Sequence, residues 1–213
     1  MRRSGFGLWI VLGIIIILVF WGCSQQRVLV QQDENVKKTW NFVQSQYQRR
    51  ADLIPNLVST VQGEANFERG TLNDVINARA KATSVQVNPN DLTPENVQRF
   101  QQAQGQLSSA LGRLLVVTEN YPNLRANDAF RNLQTQLEGT ENRIATARND
   151  FNNAVQDYNV RVRTFPNNLF AGMLGFHPRE GFTADPGSQN APRVNFPDQQ
   201  QRMPSVNFDT TRK

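Results

Sequence analysis

The residue types that most often carry chemistry are scarce in this chain of 213 residues, which holds one His, His177, and one Cys, Cys23. A lone Cys forms no internal disulfide, and one His with one Cys falls short of the ligand set of a structural or catalytic zinc site. No metal and no cofactor are therefore expected. The Walker-type phosphate loop, the dinucleotide-binding glycine fingerprint, the HExxH zinc motif and the GxSxG nucleophile elbow are all missing from the sequence. Carboxylates do pair at helical spacing, Glu64 with Glu68 and Glu138 with Glu141. Such pairs read as solvated faces, with nothing beside them to desolvate one and raise its pKa for acid catalysis. The expectation is a protein that is not an enzyme.

Two segments have more to offer as binding surfaces. Arg49, Arg50 and Asp52 flank Pro55 and Asn56 in the run QRRADLIPNLV. A proline inside a helix removes one hydrogen bond and frees the carbonyl four residues earlier, here that of Ala51. One reading makes these residues surface charge, with Arg49 and Asp52 an i,i+3 pair worth a few tenths of a kcal/mol. The other makes the kink a docking site, in which the freed carbonyl and its charged neighbours recruit a partner. The second segment, from Pro166 to Phe176, carries Leu169, Phe170, Met173, Leu174 and Phe176 and no charge. It either folds back as a cap on the base of the helices or presents an interfacial or partner-docking patch.

These residues must be positioned by helices. Val36, Trp40, Val43, Tyr47, Arg50, Ile54, Leu57 and Val61 alternate at spacings of four and three, the 3.5-residue repeat of a helix packed along its length against near-parallel neighbours. A helix from about Gln25 to Ala65 is on the order of 60 Å long. The apolar phase continues across Pro55, which predicts a kink rather than a change of direction; a local break, with Pro55 in the first turn of a new helix, is the alternative. A weaker helix is expected from Glu68 to Val87, with Leu72, Val75, Ile76, Ala82 and Val85 on its apolar face, ended by Asn88-Pro89-Asn90-Asp91. Thr93-Pro94 reads as an N-cap with proline at the first helical position, opening a third helix that Tyr121-Pro122-Asn123 stops. The fourth helix has the strongest pattern, from Phe130 through Leu137, Ile144, Phe151 and Tyr158 to Val162. Asn127 or Asp128 is its N-cap and Pro166 its end.

At roughly 58 Å the fourth helix matches the first, so a chain that rises, returns part way, rises again and then travels the full length back brings residues 166–176 to the level where it began. That level is set by the first residues, MRRSGFGLWIVLGIIIILVFWGC. Counted from Ser4 to Ser24, the uncharged span just reaches the roughly 20 residues that cross a bilayer as a helix, and Trp9 and Trp21 lie near the ends of its apolar run, where indole rings prefer the headgroups. Arg2 and Arg3 keep the N-terminus in the cytoplasm and place the rest outside it, on the periplasmic side of a bacterial envelope. Gly22-Cys23 at the end of the run also resembles a lipoprotein signal, in which Cys23 is lipidated after cleavage; bulky Trp21 fits that signal poorly. Both readings attach the body to a membrane.

The fold class read from the sequence is all-α: an anchor (residues 1–24), an elongated antiparallel four-helix, coiled-coil-like bundle (25–176) and a disordered tail (177–213) rich in Pro, Asn, Gln, Asp and Gly. The mean hydropathy of −0.53 averages an apolar head with a Gln/Asn-rich body. The formal net charge of +5 is scattered over the two ends, with no stretch of clustered basic and aromatic residues such as a nucleic-acid groove requires.

The run from Gln46 to Val58, followed by Ser59-Thr60-Val61-Gln62-Gly63, resembles the signature of the LemA family of bacterial membrane proteins. So does the segment from Tyr158-Asn159 through Phe165-Pro166-Asn167-Asn168-Leu169-Phe170 to Gly175-Phe176, and Trp40 is similar to the family's Trp in the first helix. The resemblance covers roughly residues 1–180. It implies a short N-terminal anchor, an extracytoplasmic helical bundle and no established enzymatic activity. It also implies a role as an accessory or envelope-associated protein, with a membrane protease as partner. The helices themselves, with one face buried in the seams and another left to recruit an envelope protein or further copies of the chain, point to a scaffold or adaptor. The chain departs from the family after the anchor, where Gly22-Cys23-Ser24 stands in place of a Tyr-Asn pair.

Overall fold

A computed structural model describes residues 4–64 and 67–183; within α1 the side chains are described for Trp9, Leu12, Gly13 and from Gln26 onward, and that of Phe170 is not described. Six helices follow in order: α1 (Ser4–Gln62), α2 (Arg69–Ser84), α3 (Pro94–Thr118), α4 (Pro122–Ala126), α5 (Asp128–Arg163) and α6 (Asn167–Ala171). There is no strand among the described residues.

The first helix does not begin near Gln25. It starts at Ser4 and runs through the apolar stretch into the body without a break. Among the described residues no helix is long and apolar enough to cross a membrane; the side chains of most of residues 5–21, and of Cys23, lie outside them. Pro55 sits inside α1 and does not end it. The Ala51 carbonyl that Pro55 cannot reach accepts a 2.8 Å bond from Arg79 Nε of α2, so the neighbouring helix supplies the donor that proline lacks.

The caps are local and sequence-encoded. Thr93 Oγ1 accepts from the Asn96 amide at 3.3 Å, with Pro94 next to it. Asn127 Oδ1 accepts from the amides of Ala129 and Phe130 at 2.9 and 3.3 Å, satisfying two of the four unpaired donors of α5. Tyr121-Pro122-Asn123 is not a plain stop: Pro122 opens the extra short helix α4, whose Leu124 is buried. On α2 Ile76 turns outward and is exposed, contrary to its place on the expected apolar face.

α5 lies antiparallel along α1, as the successive contacts Trp40–Phe151 and Arg50–Glu141 record. α2 and α3 form an antiparallel hairpin, joined by Gln104 Nε2 to the Ala82 carbonyl at 3.2 Å. The apolar residues divide into two clusters. One gathers Leu29, Val36, Trp40, Tyr47, Phe100, Ile144, Phe151, Tyr158 and Val162; the other gathers Ile54, Leu57, Val61, Val75, Leu107, Leu114, Phe130 and Leu137. Arg50 on α1, Gln104 on α3 and Thr140 on α5 fall between the clusters in sequence, and all three are buried. They form a polar layer across the core.

The body does not stop at Phe176. The turn after α6 closes with the Phe176 amide donating to the Ala171 carbonyl at 2.9 Å and the Gly175 amide to the Gly172 carbonyl at 3.3 Å. This is the Schellman pattern, and it requires the left-handed backbone that Gly175 supplies at φ 81°. Residues 177–182, expected to be disordered tail, then return along α5 and bury Phe182 in the first cluster. Residues 184–213, the rest of that tail, lie outside the described residues.

Candidate functional site

The residues picked out from the sequence fall into three places, and the structure treats them differently. Arg50, which the surface reading put in solvent, is 1% exposed. Its guanidinium donates to Ser108 Oγ at 2.7 Å, to Glu141 Oε1 at 2.8 Å and to Gln104 Oε1 at 2.6 Å, with a longer contact of 3.3 Å to the Gln104 carbonyl. It lies 5.0 Å from the centre of the Tyr47 ring. The planar fork of donors meets acceptors on three residues of two helices. Arg49, Asp52, Pro55 and Asn56 are exposed, and Asp52 accepts from Gln48 Nε2 at 2.7 Å rather than from Arg49. The docking reading also required a free Ala51 carbonyl, and Arg79 occupies it.

The second place is the segment after α5. It is not a uniform cap. Ala171 is buried and Phe176 packs against the first cluster, but Leu169 is 59% and Met173 86% exposed, and Leu174 and Phe165 are exposed as well. Pro166 is half-buried. Asn167 is buried, and its Oδ1 has no hydrogen-bond partner. The Phe170 side chain lies outside the described residues.

The third place collects Trp40, Tyr158 and Asn159 around a strap formed by residues 177–182. Tyr158 donates through its hydroxyl to the His177 carbonyl at 3.0 Å. Asn159 Nδ2 donates to the Arg179 carbonyl at 2.7 Å while the Arg179 amide donates back to Asn159 Oδ1 at 2.8 Å. Asn152 repeats the exchange with Phe182, at 3.2 and 2.8 Å. Seven residues along α5 rise about 10.5 Å, and three residues of extended chain from Arg179 to Phe182 span about 10 Å. Two asparagines one heptad apart thus read the backbone of an extended segment as a neighbouring strand would. Gly181 permits the approach: a Cβ there would stand 2.5 Å from Asn152 Oδ1.

Side chains complete the latch. The Phe182 ring stacks on Trp40 with centroids 5.7 Å apart, and meets Phe151 edge-on at 5.5 Å. Trp40 Nε1 donates to the Val87 carbonyl at 3.2 Å, so the same indole also holds the end of the α2–α3 hairpin. Arg179 donates to Asp33 Oδ1 at 2.6 Å, and Lys37 donates to the other oxygen at 2.9 Å. Hydrogen bonds to Glu34 and then Asp33 hold the Lys37 ammonium above its ordinary pKa, and burial raises the Tyr158 phenol above its own. A phenol held neutral against a carbonyl is a structural donor, not a proton relay. Among the described residues no group of three His, Cys, Asp or Glu side chains is placed to hold a metal ion.

The sequence reading missed Asp33, Asn152, Arg179, Gly181 and Phe182. Their signal was faint: two asparagines at heptad spacing on an otherwise polar face, and a Gly-Phe pair in a segment with no period.

The comparisons bear on the same residues. The LemA family model matches residues 39–196, from just before Trp40 to beyond the strap. "Magnetosome protein MamQ" of Magnetospirillum gryphiswaldense is 26% identical over 211 residues, covering 87% of this chain and 76% of the relative. "Protein LemA" of Metamycoplasma hominis is 22% identical over 161 residues, 76% of this chain and 70% of the relative. "Magnetosome protein MamQ 2" of Paramagnetospirillum magneticum is 39% identical over 84 residues, 39% of this chain, so the match spans only 31% of that relative's length. With the family model spanning most of the chain, from the Trp40 indole to the strap that stacks on it, this protein belongs to the LemA family.

Proposed function

We propose that this protein is a non-catalytic, membrane-anchored scaffold or adaptor of the cell envelope, with its helical body outside the cytoplasm. The observation that carries the reading is the continuity of α1. The apolar run and the seam that packs against α5 belong to one helix, Ser4–Gln62, so the body stands on the anchor as a stalk without a flexible joint. From Trp21 to Gln62 that stalk rises on the order of 60 Å. The chemistry agrees: the best-formed polar clusters, around Arg50 and Asp33, are built from internal partners, with only Arg50 Nε and Arg179 Nη1 in them buried without a hydrogen bond, and the relatives' names specify no reaction. The anchor is read as an uncleaved helix, with lipidated Cys23 as the other form of the same attachment.

Affinity isolation of the full chain from detergent-solubilised membranes after mild cross-linking tests the proposal. Recovery of copies of the chain, or of structural envelope proteins, from the membrane fraction is the expected result. Recovery of a membrane protease in stoichiometric amount makes the chain that enzyme's accessory subunit instead. A chain found in the soluble fraction, or an isolated monomer with no partner, overturns the scaffold. Intact mass of the purified chain separates the two anchors, since lipidation at Cys23 removes residues 1–22 and adds acyl mass.

A further inference from the structure

We infer that the segment after α5 is a second membrane contact, a foot that rests Leu169, Met173 and Leu174 in the headgroup region of the leaflet that α1 leaves. The inference rests on the anchored reading of α1 and extends it to a new surface.

Three observations carry it. The first is level. Asp33 pairs with Arg179, and Leu29, Val162 and Ala171 belong to one core cluster, with α6 touching α1. The foot therefore lies near Leu29, eight residues beyond Trp21 at the end of the apolar run. Eight residues of one continuous helix rise about 12 Å, and the headgroup zone extends roughly 5–7 Å beyond the hydrocarbon. In the proposed pose Leu169 on α6 and Met173 and Leu174 in the turn after it bridge the remaining distance.

The second observation is exposure. Four large apolar residues in ten, Phe165, Leu169, Met173 and Leu174, stand in solvent while Ala171 and Phe176 on the same turn are packed inward. Single apolar side chains stand exposed elsewhere, Phe42, Val116 and Val160 among them, but four within ten residues form a cluster, and clustered exposure marks an interaction face.

The third is charge. From Tyr158 to Arg179 there is no acidic residue, nor is there one between Ser24 and Gln32. Arg27, Arg161 and Arg163 ring this end and are exposed, whereas the acidic Asp33 above them is neutralised by Lys37 and Arg179. Exposed Asp157 and Glu180 bound the stretch from Tyr158 to Arg179 and exposed Glu34 follows Asp33, so the match to an anionic lipid surface rests on the apolar side chains together with the three exposed arginines. A protein partner would need no such coincidence with the height of the anchor.

Tryptophan quenching in proteoliposomes of phosphatidylethanolamine and phosphatidylglycerol, with or without brominated acyl chains, tests the foot on the full chain. In the parent, quenching of Trp9 and Trp21 reports the anchor. In a Trp9→Phe, Trp21→Phe background, Trp40 remains as a buried reference about 28 Å beyond Trp21, and Met173→Trp, or Leu169→Trp as a second reporter, reports the foot. The expected result is a blue shift and loss of emission from either reporter in brominated vesicles, reduced when Arg161 and Arg163 are both changed to Gln. A quenched parent with unquenched reporters overturns the foot and leaves the anchor standing, the result a protein-docking face would give. An unquenched parent overturns the anchored reading, and the foot falls with it.

Discussion

At the scale of single residues, Arg50 shows how an apolar repeat can carry a charge through the core. It occupies a position where the three-four spacing calls for a hydrophobe, and it is tolerated because Gln104, Ser108 and Glu141 accept from it at 2.6–2.8 Å. Arg50→Ala leaves a cavity and a buried Gln104 oxygen without its donor, and is expected to cost about 2–4 kcal/mol. Glu141→Gln is expected to cost less than about 1 kcal/mol, because the Glu141 side chain is 46% exposed and solvent screens the pair. Denaturant titration of both variants checks the contrast, and equal losses would count against a buried polar layer. Two other groups make stability depend on alkaline pH. The folded state raises the pKa of both Lys37 and Tyr158, so it holds their protons longer than the unfolded chain does. Their contribution is complete below about pH 10 and is lost as pH rises through the folded values. Melting curves should be insensitive to these groups between pH 6 and 9 and fall above 10, and Tyr158→Phe should make that fall shallower.

At the scale of elements, the strap is the contact most open to test. Its backbone is read by Asn152 and Asn159 and its one large apolar side chain is Phe182. Gly181→Ala forces a Cβ against an Asn152 amide that cannot retreat without losing both bonds to Phe182; a loss of about 1–3 kcal/mol is expected. Hydrogen exchange at the Phe182 and Arg179 amides is the direct measurement, and both should become unprotected in Gly181→Ala and in Asn152→Ala while α5 stays protected. Arg79→Ala belongs to the same scale. It uncovers the Ala51 carbonyl beside Pro55 and is expected to destabilise by about 1–2 kcal/mol. An unchanged stability would mean that water replaces the guanidinium there.

At the scale of the whole molecule, the two apolar clusters and the polar layer between them set the register of α1 against α3 and α5. A slip by one turn would strand Arg50 among leucines, which is why a charged layer specifies an alignment more than it adds stability. The strap closes the end of the body nearest the apolar run. A chain ending at Phe176 loses the Phe182 packing, the Asp33–Arg179 pair and both asparagine exchanges, and its Tm should drop on the order of 10 °C relative to the full chain. Calorimetry of the two forms checks this.

What is local and periodic in this fold can be read from the residues in order. The three-four spacing from Val36 to Val61 and from Phe130 to Val162 places α1 and α5, and Thr93-Pro94 and Asn127 cap α3 and α5 through their own side chains. Each of these depends on neighbours within a few residues, so each is readable without a fold. Groups that local rules leave open find their partners only once the helices pack. Arg50 reads as surface charge until α3 and α5 bring acceptors 54 to 91 residues away in the chain. Asp33 meets Arg179 across 146 residues, and a segment without period becomes a strap because Asn152 and Asn159 hold its backbone rather than its side chains. Backbone recognition leaves no hydrophobic pattern in the recognised segment, and a buried charge obeys no period, so neither could be read before the helices were packed.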